Sequence, residues 1–259
     1  MDIVVCVKRV PLTQEVDLDI DESGKELKEN SLVYVLNDWD NYAVEEAVAL
    51  QEKFGGTVTA VTVGEEDDEE VLRRALAMGA DRAIRVDPGD RKLDGFVVSR
   101  VLAQVISGIP PQLVLAGVQA DDDNCGMVGI MLAEHLGLAH EAVVTAIEPG
   151  EGEAKIHVEL EGGMDEISKI ALPAVLSIQT GINEPRYVSI MGIRKAKKKE
   201  LKVVGIDELN LPEEDLVPRT LVDELFLPPE TEGAEIIEGD SSAVAERIFQ
   251  IIREKGGIS

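Results

Sequence analysis

The stretch Gln112-Leu113-Val114-Leu115-Ala116-Gly117-Val118-Gln119-Ala120-Asp121-Asp122-Asp123-Asn124-Cys125-Gly126-Met127-Val128-Gly129 decides the fold. Residues 112–116, apolar from Leu113 onward, read as a strand that stops at Gly117. A polar turn follows, and a helix is expected over residues 126–136, closed by Gly137. Strand, turn and helix make half of a βα unit, and the same pattern repeats upstream. Residues 3–7 read as a buried strand. Residues 40–54 read as a helix, with Ala43, Val44, Ala47, Val48 and Leu50 on one stripe. Strands at 57–63 and 83–86 flank a helix at 67–78 whose first turn is acidic, which suits the positive end of its dipole. Residues 95–107 form a further helix with a wide apolar face. Repeated βα units build an α/β core around a doubly wound, mostly parallel sheet.

Downstream of Leu138 the pattern changes. Residues 154–160 alternate, with Ile156, Val158 and Leu160 on one face. Strands are also expected at 164–171 and 174–178, extending or capping the sheet in antiparallel sense. Residues 183–232 are rich in proline and charge, and read as an extended arm. An amphipathic helix follows over 241–255, with Ser241 or Ser242 as its cap. Residues 21–34 read as an excursion or hairpin. Three segments result: an α/β domain over 1–182, a loop and basic segment over 183–202, and a C-terminal arm and helix over 203–259.

Composition excludes several functions. The 259 residues carry a formal charge of −26, wrong for neutralising nucleic-acid phosphates or docking on an anionic membrane. Apolar residues make up 44%, too many for a disordered acidic tail, and aromatics only 3%, so Val, Ile, Leu and Ala must build the core. There is no apolar run of membrane-spanning length, and the N-terminus lacks the basic start of a signal peptide. Cys6 and Cys125 give neither a disulfide framework nor a zinc quartet, which points to a reducing cytoplasm. His135, His140 and His157 are scattered, and structural or surface roles are expected for them.

In open α/β sheets, ligands bind beyond the carboxyl ends of the strands. Residues 6–11, Asn37-Asp38-Trp39-Asp40, Thr62-Val63-Gly64 and residues 117–129 fall there. In the last of these, Gly126 and Gly129 permit close backbone approach, and a helix start offers free N–H groups to a phosphate. The turn has neither the GK[ST] ending of a P-loop nor a full GxGxxG fingerprint. The competing reading is a polar turn with an acidic helix cap. Asp121, Asp122 and Asp123 could attract a divalent metal or simply be solvated. Cys125 is either a thiol activated by a helix N-terminus or a buried small apolar residue, and Cys6 is read as the latter. Trp39 either covers the core edge or faces a flat aromatic ligand.

Seven of the 25 basic residues lie between Arg186 and Lys202, a local inversion of sign. A nucleic-acid patch is disfavoured by the surrounding acidity and the lack of interleaved aromatics. A solvated loop is one reading. A docking segment is the other, because Ile190, Met191 and Ile193 beside the lysines could anchor a partner that the charges steer.

These residues carry a resemblance. Asn183-Glu184-Pro185-Arg186-Tyr187 followed by Lys195-Ala196-Lys197-Lys198-Lys199 resembles the signature of the electron transfer flavoprotein β-subunit family. Glu161-Gly162-Gly163 and Leu172-Pro173-Ala174-Val175 fit the same signature. Val7-Lys8-Arg9-Val10, Ala43-Val44-Glu45-Glu46-Ala47, Ala75 to Arg82, Gln119-Ala120 and Asp122-Asp123 match in the family's order. The resemblance implies a Rossmann-like, adenine-nucleotide-α-hydrolase-type fold without hydrolase chemistry. It implies a heterodimer whose α subunit carries a redox FAD, and an electron carrier rather than an acid–base enzyme. It implies AMP in this subunit or, in electron-bifurcating members, a second FAD. Cys6, Asn37, Asp38, Trp39, Asp40, Val63, Gln119, Asp122, Asp123, Asn124, Cys125, Gly126, Met127, Val128 and Gly129 would line that site. Tyr187, Ile190, Met191, Ile193, Lys195, Lys197, Lys198 and Lys199 would dock a flavin dehydrogenase of acyl-CoA dehydrogenase type. Electrons would leave to a quinone-linked or iron–sulfur oxidoreductase, and the C-terminal arm would wrap onto the α subunit. Two departures stand out. Gly126-Met127-Val128-Gly129 replaces the Asn-Gln-Thr-Gly of AMP-holding relatives, and Leu12 replaces the Asp of the VPDT motif of bifurcating ones. A nucleotide-sensing stress-type module of the same fold is the alternative from another class.

Overall fold

The computed structural model describes residues 1–13, 18–28, 32–229, 233–234 and 236–256. Strands β1 (Ile3–Cys6), β4 (Val58–Val63), β5 (Arg82–Asp87), β6 (Leu113–Gly117) and β10 (Ala174–Ile178) form the middle of a nine-stranded sheet. Its order is β11-β5-β4-β1-β6-β10-β7-β8-β9, with β7 at Ala139–Pro149, β8 at Glu153–Leu160, β9 at Met164–Ala171 and β11 at Leu201–Gly205. The first seven strands run parallel, and β8 and β9 continue antiparallel. Alternate residues of the central strands enter two cores. Ile3, Val5, Leu113, Leu115 and Leu176 pack with helices α1 (Asp38–Phe54) and α2 (Glu69–Met78). Val4, Cys6, Val114 and Val175 pack with α3 (Gly95–Ser107) and α4 (Val128–Leu136) on the other face. Burial on both faces is why these strands read as continuous apolar runs.

The antiparallel expectation holds for β8 and β9 but not for β10, which enters in parallel between β6 and β7. All five of its residues are buried, so only an interior position satisfies it. The β8–β9 hairpin carries the chain out and back so that β10 re-enters in the direction of β6. The alternation in β8 also ends early: Ile156 and Val158 are buried, but Leu160 is exposed. The expected excursion over residues 21–34 is described outside residues 29–31. Its described residues close through an Ile20–Leu27 bridge, and the chain returns as β3 (Tyr34–Leu36) against β2 (Arg9–Pro11).

The expected arm over 183–232 is partly regular. It contains helix α5 (Ile190–Ala196), the edge strand β11, and two short 3₁₀ turns at Ile206–Leu209 and Glu213–Leu216. An edge strand with a solvated side needs no apolar run, so β11 left little signal. Residues Met1–Asp223 form one compact unit and Glu224–Ser259 a second. The second holds helix α6 (Ser241–Glu254), capped by the Asp240 carboxylate on Ser242 N and Ala243 N rather than by either serine. None of the described helices is long and apolar enough to cross a membrane.

Candidate functional site

Strand order reverses beside β1, because β4 and β5 lie to one side and β6 and β10 to the other. At such a switch point the loops leaving neighbouring strands part and open a crevice. Lys8, the first part of the turn after Gly117 and the start of α1 are joined there by hydrogen bonds, and Cys6 and Val63 end β1 and β4. Helix α1 begins at Asp38, two residues ahead of the start expected at residue 40. Asn37 is the N-cap of α1, and Asp38, Trp39 and Asp40 make its first turn.

Two side chains tie this junction together. The buried Asp40 carboxylate accepts Lys8 N at 2.8 Å and Gly117 N at 2.9 Å, joining the chain after β1 to the end of β6. Burial pushes its carboxyl up to about 7, against the two backbone bonds that favour the ionised form. Asn37 does not cap its own helix. Its Nδ2 donates to Gln119 O at 2.9 Å, and its Oδ1 accepts Asp121 N at 3.2 Å, fixing the turn. Gly117 must lack a side chain, since an added Cβ would stand 2.6 Å from Trp39 Cβ. Trp39 is half-buried at the rim and donates its indole N–H to Gln179 Oε1 at 3.0 Å.

Two members of the acidic run, Asp122 and Asp123, face a lysine. Lys8 Nζ lies 2.6 Å from Asp122 Oδ1 and 3.0 Å from Asp123 Oδ2. Among the described residues no group of three or more His, Cys, Asp or Glu side chains is gathered to hold a metal ion. Asp123 also accepts Cys125 N at 2.9 Å. Cys125 is exposed, contrary to the buried reading, because it sits on this turn rather than in α4. Desolvation and then Asp123 raise its thiol, which is the reverse of nucleophile activation. Cys6 is buried as expected, and burial, followed by Asp40, pushes its thiol up to about 12.

Helix α4 begins at Val128, two residues later than expected, because Gly126 takes a left-handed φ of 60°. Its N-cap, Met127, supplies no side-chain acceptor. The first N–H groups of a helix have no intrahelical partner. Val128, Gly129 and Ile130 therefore present an uncapped positive helix end, backed by Gly129, whose added Cβ would meet Ser177 Oγ at 2.4 Å. That donor set suits an anionic oxygen held by backbone alone. The buried Ser177 hydroxyl is 3.1 Å from His140 Nε2. Gln179, Ser177 and His140 are absent from the expected site, and Lys8 enters it only as part of the 6–11 segment. Lys8 was the accessible one, since it follows a strand end at the crevice.

The second expected surface is built from α5 and its flanks. Arg186 clamps the chain to α1 through Glu45 Oε2 at 2.9 Å and Glu52 Oε1 at 2.7 Å, and Asn183 Nδ2 donates to Tyr42 O and Glu46 Oε2. Beyond that clamp Tyr187, Ile190 and Met191 are 92, 72 and 65% exposed, with Ile193 beside them. Lys195, Lys197 and Lys198 are exposed, whereas Lys199 turns inward towards α2.

The fold is a three-layer α/β architecture of the doubly wound type, with helices packed on both faces of the sheet. Similar proteins narrow this. The family described as electron transfer flavoprotein domain matches residues 25–209. The chain is 40% identical to the electron transfer flavoprotein subunit beta of Methylophilus methylotrophus, covering 99% of this chain and 100% of that one. It is 37% identical to the subunit beta of Bacillus subtilis (strain 168) over 100% of both chains. It is 33% identical to that of Homo sapiens, over 94% of this chain and 95% of the relative. The chain belongs to the electron transfer flavoprotein β-subunit family.

Proposed function

We propose that this chain pairs with an electron transfer flavoprotein α subunit, holds an adenine nucleotide in its switch-point crevice, and relays a flavin dehydrogenase's electrons to a second oxidoreductase. The observation that carries the nucleotide reading is the uncapped start of α4 beside the left-handed Gly126. Backbone N–H groups at residues 128–130 would take the phosphate, so the polar side chains of the relatives' Asn-Gln-Thr-Gly are dispensable. Lys8 neutralises Asp122 and Asp123 and lowers the repulsion an incoming phosphate meets. AMP is the cargo we favour. Cys6, Val63 and the Asn37–Asp40 turn form the rest of the wall.

Redox chemistry would be supplied by the FAD of the α subunit. This chain's part is mechanical: it fixes the turn through Asn37 and Asp40, closes the rim with Trp39, and offers a docking face. That face is Tyr187, Ile190, Met191 and Ile193, rimmed by Lys195, Lys197 and Lys198. An apolar tip with a basic rim suits an acyl-CoA dehydrogenase-type partner with an acidic collar. The second compact unit is the arm we assign to the α subunit. Two free thiols suit a reducing cytoplasm.

The test is co-expression with the α subunit, followed by denaturation and mass analysis of the released nucleotides. A yellow heterodimer releasing AMP and FAD in equal amounts is expected. FAD alone at two per heterodimer would replace AMP with the bifurcating cargo. ATP from a colourless monomer would refute the assignment.

A further inference from the structure

Helices α2 and α5 exchange cations at their C-terminal ends. Lys199, three residues past α5, sends Nζ to the carbonyls of Leu76, Gly79 and Ala80 at 3.0, 3.2 and 2.6 Å. These oxygens belong to the last turn of α2 and the residues closing it, where carbonyls lack intrahelical donors and the dipole is negative. In return, Arg73 of α2 donates through Nη1 to the carbonyls of Ala196 and Lys199, each at 3.2 Å. An ammonium has three donors, and Lys199 spends all three inward. It has none left for a partner.

The clamp closes on tight packing. Ala196 is buried, and a Cβ added at Gly192 would stand 3.3 Å from Ala77 O. Helix α5 has only seven residues, well below the roughly 12–15 an isolated helix needs in water. Its order must come from what holds it. Its outer residues, Ile190 and Met191, are the exposed apolar tip.

We propose that Arg73 and Lys199 are positioning residues for partner docking: they hold α5 against α2 so that Ile190 and Met191 are presented in one geometry. Lys199 thereby leaves the set of steering lysines, and Lys195, Lys197 and Lys198 remain in it. This inference rests on the docking reading of α5.

The test uses the purified α/β heterodimer and the variants Arg73→Gln, Lys199→Met and Ile190→Ala. Hydrogen exchange at the Ile193 and Lys197 amides, which bond Ser189 O and Ile193 O, reads the clamp without a partner. Exchange should accelerate in both clamp variants and stay unchanged in Ile190→Ala. Electron transfer from an acyl-CoA dehydrogenase reduced with octanoyl-CoA reads docking. If a tenth of the molecules keep α5 in place, KM for the heterodimer rises about tenfold with kcat unchanged. The salt dependence of KM should stay that of the wild type in Lys199→Met and weaken in Lys197→Glu. Unchanged amide exchange overturns the proposal. So does faster exchange with unchanged KM while Ile190→Ala raises it. If Ile190→Ala itself leaves KM unchanged, the docking reading fails and the positioning role goes with it.

Discussion

Gly129→Ala examines the crevice at its tightest point. The new methyl would sit 2.4 Å from Ser177 Oγ, against an ordinary contact of 3.4–4 Å, so about 1 Å must be found. Ser177 is buried and its hydroxyl is engaged with His140, so turning it away breaks a buried bond. The remaining route is a shift of the first turn of α4, which displaces the N–H groups proposed to hold the phosphate. Overpacking of this kind costs about 1–3 kcal/mol. Alanine returns about 1 kcal/mol through its better helix propensity. The single variant should therefore lose up to about 2 kcal/mol, or roughly 4–8 °C in melting temperature for a protein of this size. Ser177→Ala alone should lose about 1 kcal/mol with its hydrogen bond. In that background the methyl has room, so Gly129→Ala should become neutral or stabilising, a coupling of about 1–3 kcal/mol. Melting of the heterodimer gives the four corners of the cycle, and nucleotide released on denaturation gives occupancy. Occupancy should fall in the single variant and recover in the double. Additive melting shifts, or full occupancy in Gly129→Ala, would refute the reasoning.

Three further outcomes are expected. Asp40 titrates near 7 when folded, but near the ordinary value of about 4 when unfolded. The folded state then keeps a proton that the unfolded state has lost, so stability should fall as pH rises from about 4 to about 7 and level off above. Asp40→Asn should flatten that part of the profile, and denaturation across the range with an unaltered slope would count against it. Arg186→Met strands the nearly buried Glu45 and should cost about 2–4 kcal/mol, read as a lower melting temperature. Arg186→Lys should recover only part of this, since an ammonium cannot reproduce the fork; full recovery would contradict the clamp. Reversing Lys197 and Lys198 to Glu should slow electron transfer at low salt and converge on wild type at high salt, whereas a salt-independent loss would mean folding damage rather than lost steering.

Much of this protein was legible along the chain. Helix α3 and strands β9 and β10 fall where the pattern put them, because their periodicity or apolar content is local. The switch-point rule pointed to Asn37, Asp40 and the Gly117–Gly129 turn, which the structure joins by hydrogen bonds, since strand ends and glycines mark themselves. The charge inversion at residues 186–202 was also visible, because net charge is a sum over neighbours.

Other features needed three dimensions. β10 sits parallel between β6 and β7, because a hairpin's path, not local composition, sets a strand's direction. Lys8 neutralises acids 114 and 115 residues away, a pairing no local pattern announces. Asp40 looked like any polar residue, until the meeting of β1 and β6 buried it and raised its carboxyl. The run Lys197-Lys198-Lys199 looked uniform, yet packing against α2 turned its last member inward to carbonyls at residues 76, 79 and 80. Sequence determines which residues have the chemistry to bind or to steer. Which of them are spent holding the fold is decided only when distant elements pack, because hydrogen-bond partners and burial are properties of space.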